Sequence, residues 1–193
     1  MSQPPSPPTT DAADPLASWI AQEQSIRAAQ ARGGAGFGVS RREQIAGLTG
    51  LQMMQGLLRG ELPAAPIAGT LDFLLVDVAE GRAVFQGTPS AAHYNPLGTV
   101  HGGWFATLLD SALGCAVHTM MPPGRAYTTA ELHVNLVRAI TTKVSRVRAI
   151  GQVLHCGRQL ATAEARLVGP DGTLYAHAST TCLVFPAPAA AAA

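Results

Sequence analysis

An aspartate lies in the middle of the most apolar stretch of the chain, "GGWFATLLDSALGCAV", which covers residues 102–117. A helix that is apolar on every side is normally a buried helix. A buried carboxylate is costly unless it is paired, hydrogen-bonded or used in chemistry. Because buried charges are usually paired, Asp110 has a structural interpretation, as a cap or the partner of an arginine, beside a functional one.

Two glycines, Gly102 and Gly103, begin this predicted helix. They let another group approach the backbone closely, and the first N–H groups of a helix lack internal partners and carry the positive end of the dipole. Such a site suits a carbonyl oxygen that gains negative charge, which is the requirement of an oxyanion hole.

Asp110 lies eight residues beyond Gly102, which is about 12 Å along a helix axis. Because reacting groups must approach to about 3 Å, one carbonyl group cannot contact both residues of the same helix. If both act on one substrate, they must come from different copies of the helix. An antiparallel pair of helices across a dimer axis would achieve this, with two sites per dimer.

The segments that must position this helix are predicted as strands. Before the helix, "TLDFLLVDVAEGRAVFQGTPS" indicates two strands joined at Glu80-Gly81. After it come four strand-like segments, the last two joined by the hairpin turn "GPDG". These four segments are 126–140, 145–157, 158–169 and 173–185. One helix can serve such an antiparallel sheet only if the sheet curls around it, and dimerisation would cover the edges that remain.

The length of 193 residues indicates one domain with tails. The proline-rich N-terminus predicts a disordered or weakly structured extension, although "LASWIAQEQSIRAAQARGG" allows a short helix that stops at Gly33-Gly34. Apolar residues at helical spacing then predict a helix that ends at Gly60. The predicted units are the extension at 1–40, the helix at 41–62, the α+β domain at 63–185 and a disordered tail at 186–193.

Composition excludes several classes of function. Charged residues make up 13% and the net charge is +1, so no global field favours nucleic acid or a membrane surface. Three cysteines without CxxC spacing predict a reducing compartment and no disulfide framework, and the histidines show no metal-ligand spacing. Without a secretory signal or an apolar run of membrane length, we expect a soluble cytoplasmic protein.

Asn95, His101, the glycine pair and Asp110 together fit the pattern N-x5-H-G-G-x6-D. This pattern resembles that of the hot-dog fold acyl-CoA thioesterases, in the group typified by the phenylacetate-pathway thioesterase PaaI. "YTTAELHVNLVRAI" resembles the strand after the helix in that group, and "GRQLATAEARLVGPDGTLYAHASTTCLV" resembles its closing strands. The resemblance covers about residues 62–185 and implies a hot-dog fold, in which a curled antiparallel sheet wraps one long helix.

The resemblance implies a role for each matching residue. Asp110 matches the family carboxylate, which acts as general base on water or as nucleophile on the thioester. Gly102 matches the residue whose N–H polarises the thioester carbonyl, with Gly103 beside it. Asn95 and His101 match loop positions that orient substrate, although a turn residue and a helix cap would also explain them.

Further positions are implied on the strands. Thr129 matches a family serine or threonine that helps to hold the water, and Thr128 is the alternative. Gly157-Arg158 resembles a glycine–cation pair at a turn that binds the nucleotide end of CoA, and Arg138 lies in the same strand region. The family often has Arg-Pro where this chain has Arg138-Ala139.

The resemblance thus implies a hydrolase for acyl-CoA thioesters, with medium-chain or aromatic acyl groups favoured. No separate cofactor or metal is expected, since CoA is part of the substrate, and the site would lie between subunits of a homodimer or homotetramer. Two alternatives stay open. One is a 3-hydroxyacyl thioester dehydratase or hydratase that uses His101 with Asp110, and the other is a non-catalytic acyl-CoA-binding module.

Overall fold

The computed structural model describes residues 14–187, in which six strands form one antiparallel sheet. The strands are β1 (Phe73–Ala79), β2 (Arg82–Gly87), β3 (Arg125–Leu136), β4 (Val147–Cys156), β5 (Leu160–Val168) and β6 (Leu174–Pro186). The helices are α1 (Pro15–Gly33), α2 (Arg42–Ile45), α3 (Gly50–Arg59), α4 (Pro66–Thr70) and α5 (Gly102–Thr119). The strand order is β1-β2-β4-β5-β6-β3, with every neighbouring pair antiparallel.

Helix α5 is the centre of the core and contacts all six strands. Leu108, Leu109 and Leu113 are fully buried on it. Strand β4 passes close to the helix backbone at Gly151, where an added Cβ would lie 2.3 Å from the carbonyl oxygen of Ala112. This confirms the predicted architecture, a curled antiparallel sheet wrapped around one apolar helix.

The two predicted hairpin turns are present. Gly81, between β1 and β2, has a φ of 71°, and Gly172, between β5 and β6, has a φ of 80°. Glycine adopts this left-handed conformation without the steric cost that other residues meet. The two turns set the register of the β1–β2 pair and of the β5–β6 pair, which β4 separates in the sheet.

Strand β3 lies at an edge of the sheet and pairs with β6 alone among the described strands. Leu136 ends it with 56% of its surface exposed, and Val137 follows with 53%. An exposed edge strand with apolar side chains is suited to pairing with another chain.

Pro15–Gly33 form a 19-residue helix, so the helix ending at Gly33-Gly34 that the sequence allowed is present, and this part of the N-terminal extension is structured rather than disordered. Asp14 caps its N-terminus and Gly34, with a φ of 75°, ends it. Ile26 packs on an apolar patch of the sheet around Val76 and Val84. The partners of α1 lie far away in the sequence, so its own periodicity does not reveal them. Residues 1–13 and 188–193, where disorder was also predicted, lie outside the described residues.

The single helix predicted over 41–62 is also wrong, because the structure has two helices, α2 and α3, in this segment. Gly47 separates them with a φ of 78°. Thr49 then starts α3 with a capping box to Gln52, which satisfies backbone N–H groups at a new helix start. Gly60 ends α3 in a left-handed conformation, as the sequence predicted.

Candidate active site

The Asp110 carboxylate is half-buried on α5 and faces strand β3. Thr129 donates a hydrogen bond from its Oγ1 to Asp110 Oδ1 over 3.1 Å. The register of β3 shifts after Thr129, which leaves Ala130 as an extra, bulged residue. Bulges re-aim side chains, and here Thr129, rather than Thr128, lies against the carboxylate.

No cation pairs with this carboxylate within residues 14–187, since Asp110 takes part in none of their salt bridges. Burial raises the pKa of the Cys115 thiol to about 12, and the negative charge of Asp110 adds to the effect. Burial also raises the pKa of Tyr127 well above its usual value, with a smaller contribution from Asp110. Both neighbours therefore stay neutral at pH 7, and the structural interpretation of Asp110 as half of an ion pair does not hold.

The start of α5 offers one backbone donor. His101 is the N-cap, and its Nδ1 accepts a hydrogen bond from the N–H of Gly103 over 2.9 Å. The hydrogen bonds found among residues 14–187 include none from the N–H of Gly102. Because an N–H at the first turn of a helix has no internal acceptor, Gly102 can polarise a carbonyl group, whereas the Gly103 donor is already engaged.

Asn95 holds the loop before α5 in shape. Its Oδ1 accepts from the N–H groups of Leu97 and Thr99 over 2.9 and 3.3 Å. Its Nδ2 donates to Thr99 Oγ1 over 3.0 Å. Asn95 also lines a pocket of about 260 Å³ that contains Gly102. Its side-chain contacts fit the turn-residue interpretation, and its place in the pocket fits a contact with substrate as well.

Gly102 and Thr129, the hydrogen-bond partner of Asp110, line two different pockets of the chain. The Gly102 pocket includes Phe105 and Arg138. A second pocket, of about 440 Å³, opens at Thr129 and includes Cys115. Asp110 itself lines neither pocket, and its partner Thr129 lines the second, so a single chain does not bring Gly102 and the carboxylate into one pocket.

The two arginines expected to bind CoA also lie far apart within one chain. Arg138 follows β3 at the Gly102 end and lines that pocket. Arg158 lies at the other end of β3, where its carbonyl oxygen accepts a hydrogen bond from Arg125, and Gly157 stands beside it at the β4–β5 turn. The 12 residues of β3 span roughly 36 Å at the usual rise per residue. Gly157, Arg158 and Arg138 thus form no single cluster within one chain.

Sequence reasoning missed the surroundings of Asp110 that come from other elements. The ring of Tyr127 contacts that of His118 at a tilt of 48°, with centroids 5.6 Å apart, and both residues line the Thr129 pocket. Burial lowers the pKa of His118, so it stays neutral at pH 7. Tyr127 precedes Thr129 by two positions on a strand, which places both side chains on one face. That spacing was the available signal.

Residues 14–187 contain no group of three or more His, Cys, Asp or Glu side chains placed to hold a metal ion. Within the same residues, no helix has the length and apolar character that crossing a membrane requires.

Comparison with known proteins shows what this chain is similar to. Residues 97–176 match the family model of the Thioesterase superfamily. A phenylacetic acid degradation-related protein from Ralstonia eutropha is 27% identical, with 67% of this chain and 98% of that chain covered and a TM-score of 0.62. A thioesterase family protein from Silicibacter pomeroyi is 27% identical, with 63% and 90% covered and a TM-score of 0.58.

A third structure, a variant of the phenylacetic acid degradation protein PaaI from Thermus thermophilus, is 28% identical, with 61% and 97% covered and a TM-score of 0.55. No curated protein matches this chain in sequence. The sheet wrapped around α5 and these matches confirm the predicted hot-dog fold and the resemblance to the PaaI-like thioesterases. They support a thioester hydrolase.

Proposed function

We propose that this protein is an acyl-CoA thioesterase that hydrolyses its substrate to a free acid and CoA. The observation that carries the proposal is the state of Asp110, a half-buried carboxylate with one hydrogen bond, from Thr129, and no cation among the described residues. Such a group is free to accept a proton or to attack a carbonyl carbon.

The same helix begins with the N–H of Gly102, which suits the oxygen of the thioester carbonyl. As charge develops on that oxygen, the N–H and the helix dipole stabilise it. Thr129 holds Oδ1 of Asp110, so Oδ2 is left to take a proton from water or to attack directly. The tetrahedral intermediate collapses, the C–S bond breaks, and the CoA thiolate leaves and takes up a proton. If Asp110 attacks directly, water then hydrolyses the acyl–Asp110 anhydride, which releases the free acid and restores the carboxylate.

The proposal includes a dimer, because Gly102 and Asp110 of one chain lie too far apart to share a carbonyl. A two-fold axis that sets two α5 helices antiparallel would bring Gly102 of one subunit to Asp110 of the other. The unpaired edge of β3, with exposed Leu136 and Val137, provides a surface for this association. A tetramer would be a pair of such dimers.

The same axis would unite the divided arginines. Arg138 lies at the Gly102 end of β3 and Arg158 at the other end, so an antiparallel pair sets the two near each other across the interface. Together they offer positive charge for the CoA phosphates. We further propose that no separate cofactor is needed, that medium-chain or aromatic acyl groups are favoured, and that the protein acts in the cytoplasm.

Thiol release from a panel of acyl-CoAs tests the proposal, with wild-type protein and the Asp110→Asn variant compared. The panel contains phenylacetyl, hydroxybenzoyl and short, medium and long straight-chain thioesters. We expect wild-type protein to release CoA and the variant to lose on the order of a hundredfold in rate, as for a lost catalytic base. Equal release by both proteins would contradict the mechanism.

Product analysis in the same assay covers the alternatives. A dehydratase would yield an enoyl thioester, and a binding module would yield neither product. His101 caps α5 through Nδ1 and lies nine positions from Asp110, about 13 Å along the helix. The two groups of one chain are therefore apart, and a joint acid–base site for a dehydratase would need the same dimer axis, so the reaction product decides between the two functions.

A further inference from the structure

An apolar cavity of about 280 Å³ lies between the N-terminal helices and the hot-dog core. The N-terminal side contributes Leu57 of α3 and Ala68 of α4. The core contributes Phe73 and Phe85, and α5 contributes Cys115. Residues before position 97 thus make most of this wall, and they lie outside the part of the chain that matches the family model.

The cavity reaches the helix that carries Asp110. Ser111, the next residue on α5, lines it, and Cys115 lines both this cavity and the pocket at Thr129. Ser111 follows Asp110 directly and Cys115 lies five positions beyond it on the same helix, so the cavity borders the helix turns that carry the carboxylate. A group attached to a carbonyl carbon at Asp110 can therefore extend past Cys115 into the cavity.

The far end of the cavity opens to the surface beside polar groups. Arg27 and Asp72 line it and form an ion pair over 3.1 Å, with about half of each side chain exposed. Phe37, 60% exposed, and Ile67, 49% exposed, lie at the same opening. The lining is thus mostly apolar, with one exposed ion pair.

Size and lining define the occupant. A cavity of roughly 150 Å³ accommodates benzene, so about 280 Å³ takes an aromatic ring with several methylenes, or a medium-length alkyl chain. Each methylene moved from water into such a site favours binding roughly fourfold. A CoA thioester with a short acyl group would leave the space unfilled.

We propose that the N-terminal helices α3 and α4 form the acyl-binding cavity of this protein and set its preference for medium-chain or arylacyl groups. This inference rests on the proposed function, since it takes the thioester carbonyl to lie at Asp110. It places the end of the acyl group within one subunit, beyond the interface where the carbonyl reacts.

Binding of non-hydrolysable thioethers tests the inference separately from catalysis. Binding of S-octyl-CoA and S-ethyl-CoA to the full-length protein is measured by calorimetry. The Ala68→Phe variant adds a ring at a buried cavity position, and Leu57→Ala enlarges the space. Ala28→Phe makes the same change as the first variant at an exposed position of α1 outside the cavity, and serves as the matched control.

We expect Ala68→Phe to weaken the binding of S-octyl-CoA tenfold or more, because only the longer chain fills the cavity. The affinity for S-ethyl-CoA should stay within about twofold of wild type. Leu57→Ala should shift the preference toward S-dodecyl-CoA, and Ala28→Phe should change neither affinity. An unchanged octyl-to-ethyl ratio in both cavity variants, or a parallel loss of both ligands, would overturn the inference.

Hydrolysis by the same proteins keeps the two proposals apart. If the affinity ratio shifts but wild-type protein releases no thiol, the cavity stands and the thioesterase function fails. If wild-type protein hydrolyses acyl-CoAs with a chain-length profile that neither cavity variant changes, the function stands and the cavity inference fails.

Discussion

Two carboxylates that are partly or fully withdrawn from solvent, Glu23 on α1 and Asp110 on α5, have different partners in the fold. The Glu23 side chain is only 7% exposed, and it accepts hydrogen bonds from Arg146 over 2.6 Å, Arg27 over 2.9 Å and Gln86 over 2.9 Å. Asp110 is half-buried and accepts one hydrogen bond within residues 14–187, from Thr129. The comparison shows which charge holds the structure together and which is left for chemistry.

The Glu23 network attaches α1 to the outer face of the sheet. Arg148 extends it by hydrogen bonds to Gln86 and Gln22 over 2.8 and 2.7 Å, and its guanidinium lies 4.3 Å from the ring centroid of Trp19. Burial raises the pKa of Glu23, but hydrogen bonds and charge from Arg146 and Arg27 outweigh it and hold the pKa below the usual value. A carboxylate so fully paired is structural.

The largest difference should appear in catalysis. We expect Asp110→Asn to lower kcat for acyl-CoA hydrolysis by a hundredfold or more, since the amide cannot act as base or nucleophile. Its free energy of unfolding should stay within about 1 kcal/mol of wild type, because no ion pair is broken. Thiol release and urea unfolding measure the two quantities. A stability loss that explains the lost activity would make Asp110 structural as well.

The reverse pattern is expected for the paired carboxylate. Glu23→Gln should lower the free energy of unfolding by about 2 kcal/mol, because it leaves Arg146 without its charged partner in a buried network. Activity per folded molecule should stay within about twofold, since Glu23 lies outside the pockets at Gly102 and Thr129. Urea unfolding and thiol release are again the measurements. If Glu23→Gln lost activity without losing stability, Glu23 would have a functional role and would no longer contrast with Asp110.

A smaller effect is expected at the single hydrogen bond to Asp110. Thr129→Val removes the donor at nearly constant volume, and we expect kcat to fall roughly five- to tenfold, the size of one such hydrogen bond. Thr128→Val is the matched control, because Thr128 makes no hydrogen bond to the carboxylate among those found in residues 14–187. Equal losses in both variants would show that strand stability, rather than the orientation of Asp110, is being measured.

The smallest expected effect is the dependence of stability on pH. Because the folded pKa of Glu23 is lowered from 4.5, its stabilising contribution is complete above the unfolded pKa and is lost as pH falls through the folded pKa. The stability difference between wild type and Glu23→Gln should thus persist at neutral pH and shrink in acid, as followed by urea unfolding. A difference that grows in acid would contradict the pairing.

Much of the fold follows from local sequence patterns. Alternating residues and glycine turns give the strands and hairpins, and an all-round apolar run gives α5. The docking of α1 does not follow, because Glu23 meets Gln86 and Arg146 across 63 and 123 residues of sequence. The sequence allowed the helix and its end at Gly33-Gly34, but partners that are polar and distant leave no local pattern that tells where the helix docks.

Only part of the candidate site, likewise, could be predicted from the sequence. The residue types and spacing from Asn95 to Asp110 point to the chemistry. The choice between Thr128 and Thr129 depends on the bulge at Ala130, which no local pattern announces. That Arg138 and Arg158 lie at opposite ends of β3 depends on strand pairing over the whole domain, so the sequence placed both in one region.

A site made by Gly102 of one subunit and Asp110 of the other is tested by a variant that removes the Gly102 N–H alone. Gly102→Pro does so, since Gly102 is the first residue of α5, a position where proline is favoured. The preceding His101 has φ −63° and ψ 138°, the extended conformation required before proline. Gly102→Ala is the control that keeps the N–H, and its Cβ would meet only the flexible end of Leu136, at 2.9 Å.

The most direct measurement is thiol release by heterodimers of one Asp110→Asn subunit and one Gly102→Pro subunit, isolated through two different affinity tags. Each parent homodimer should be nearly inactive. In the heterodimer one site carries both defects and the other carries neither. Because two-fold symmetry gives two equal sites, we expect about half of the wild-type activity. Activity no higher than that of either parent would contradict the shared site, because it would place both groups in the same chain.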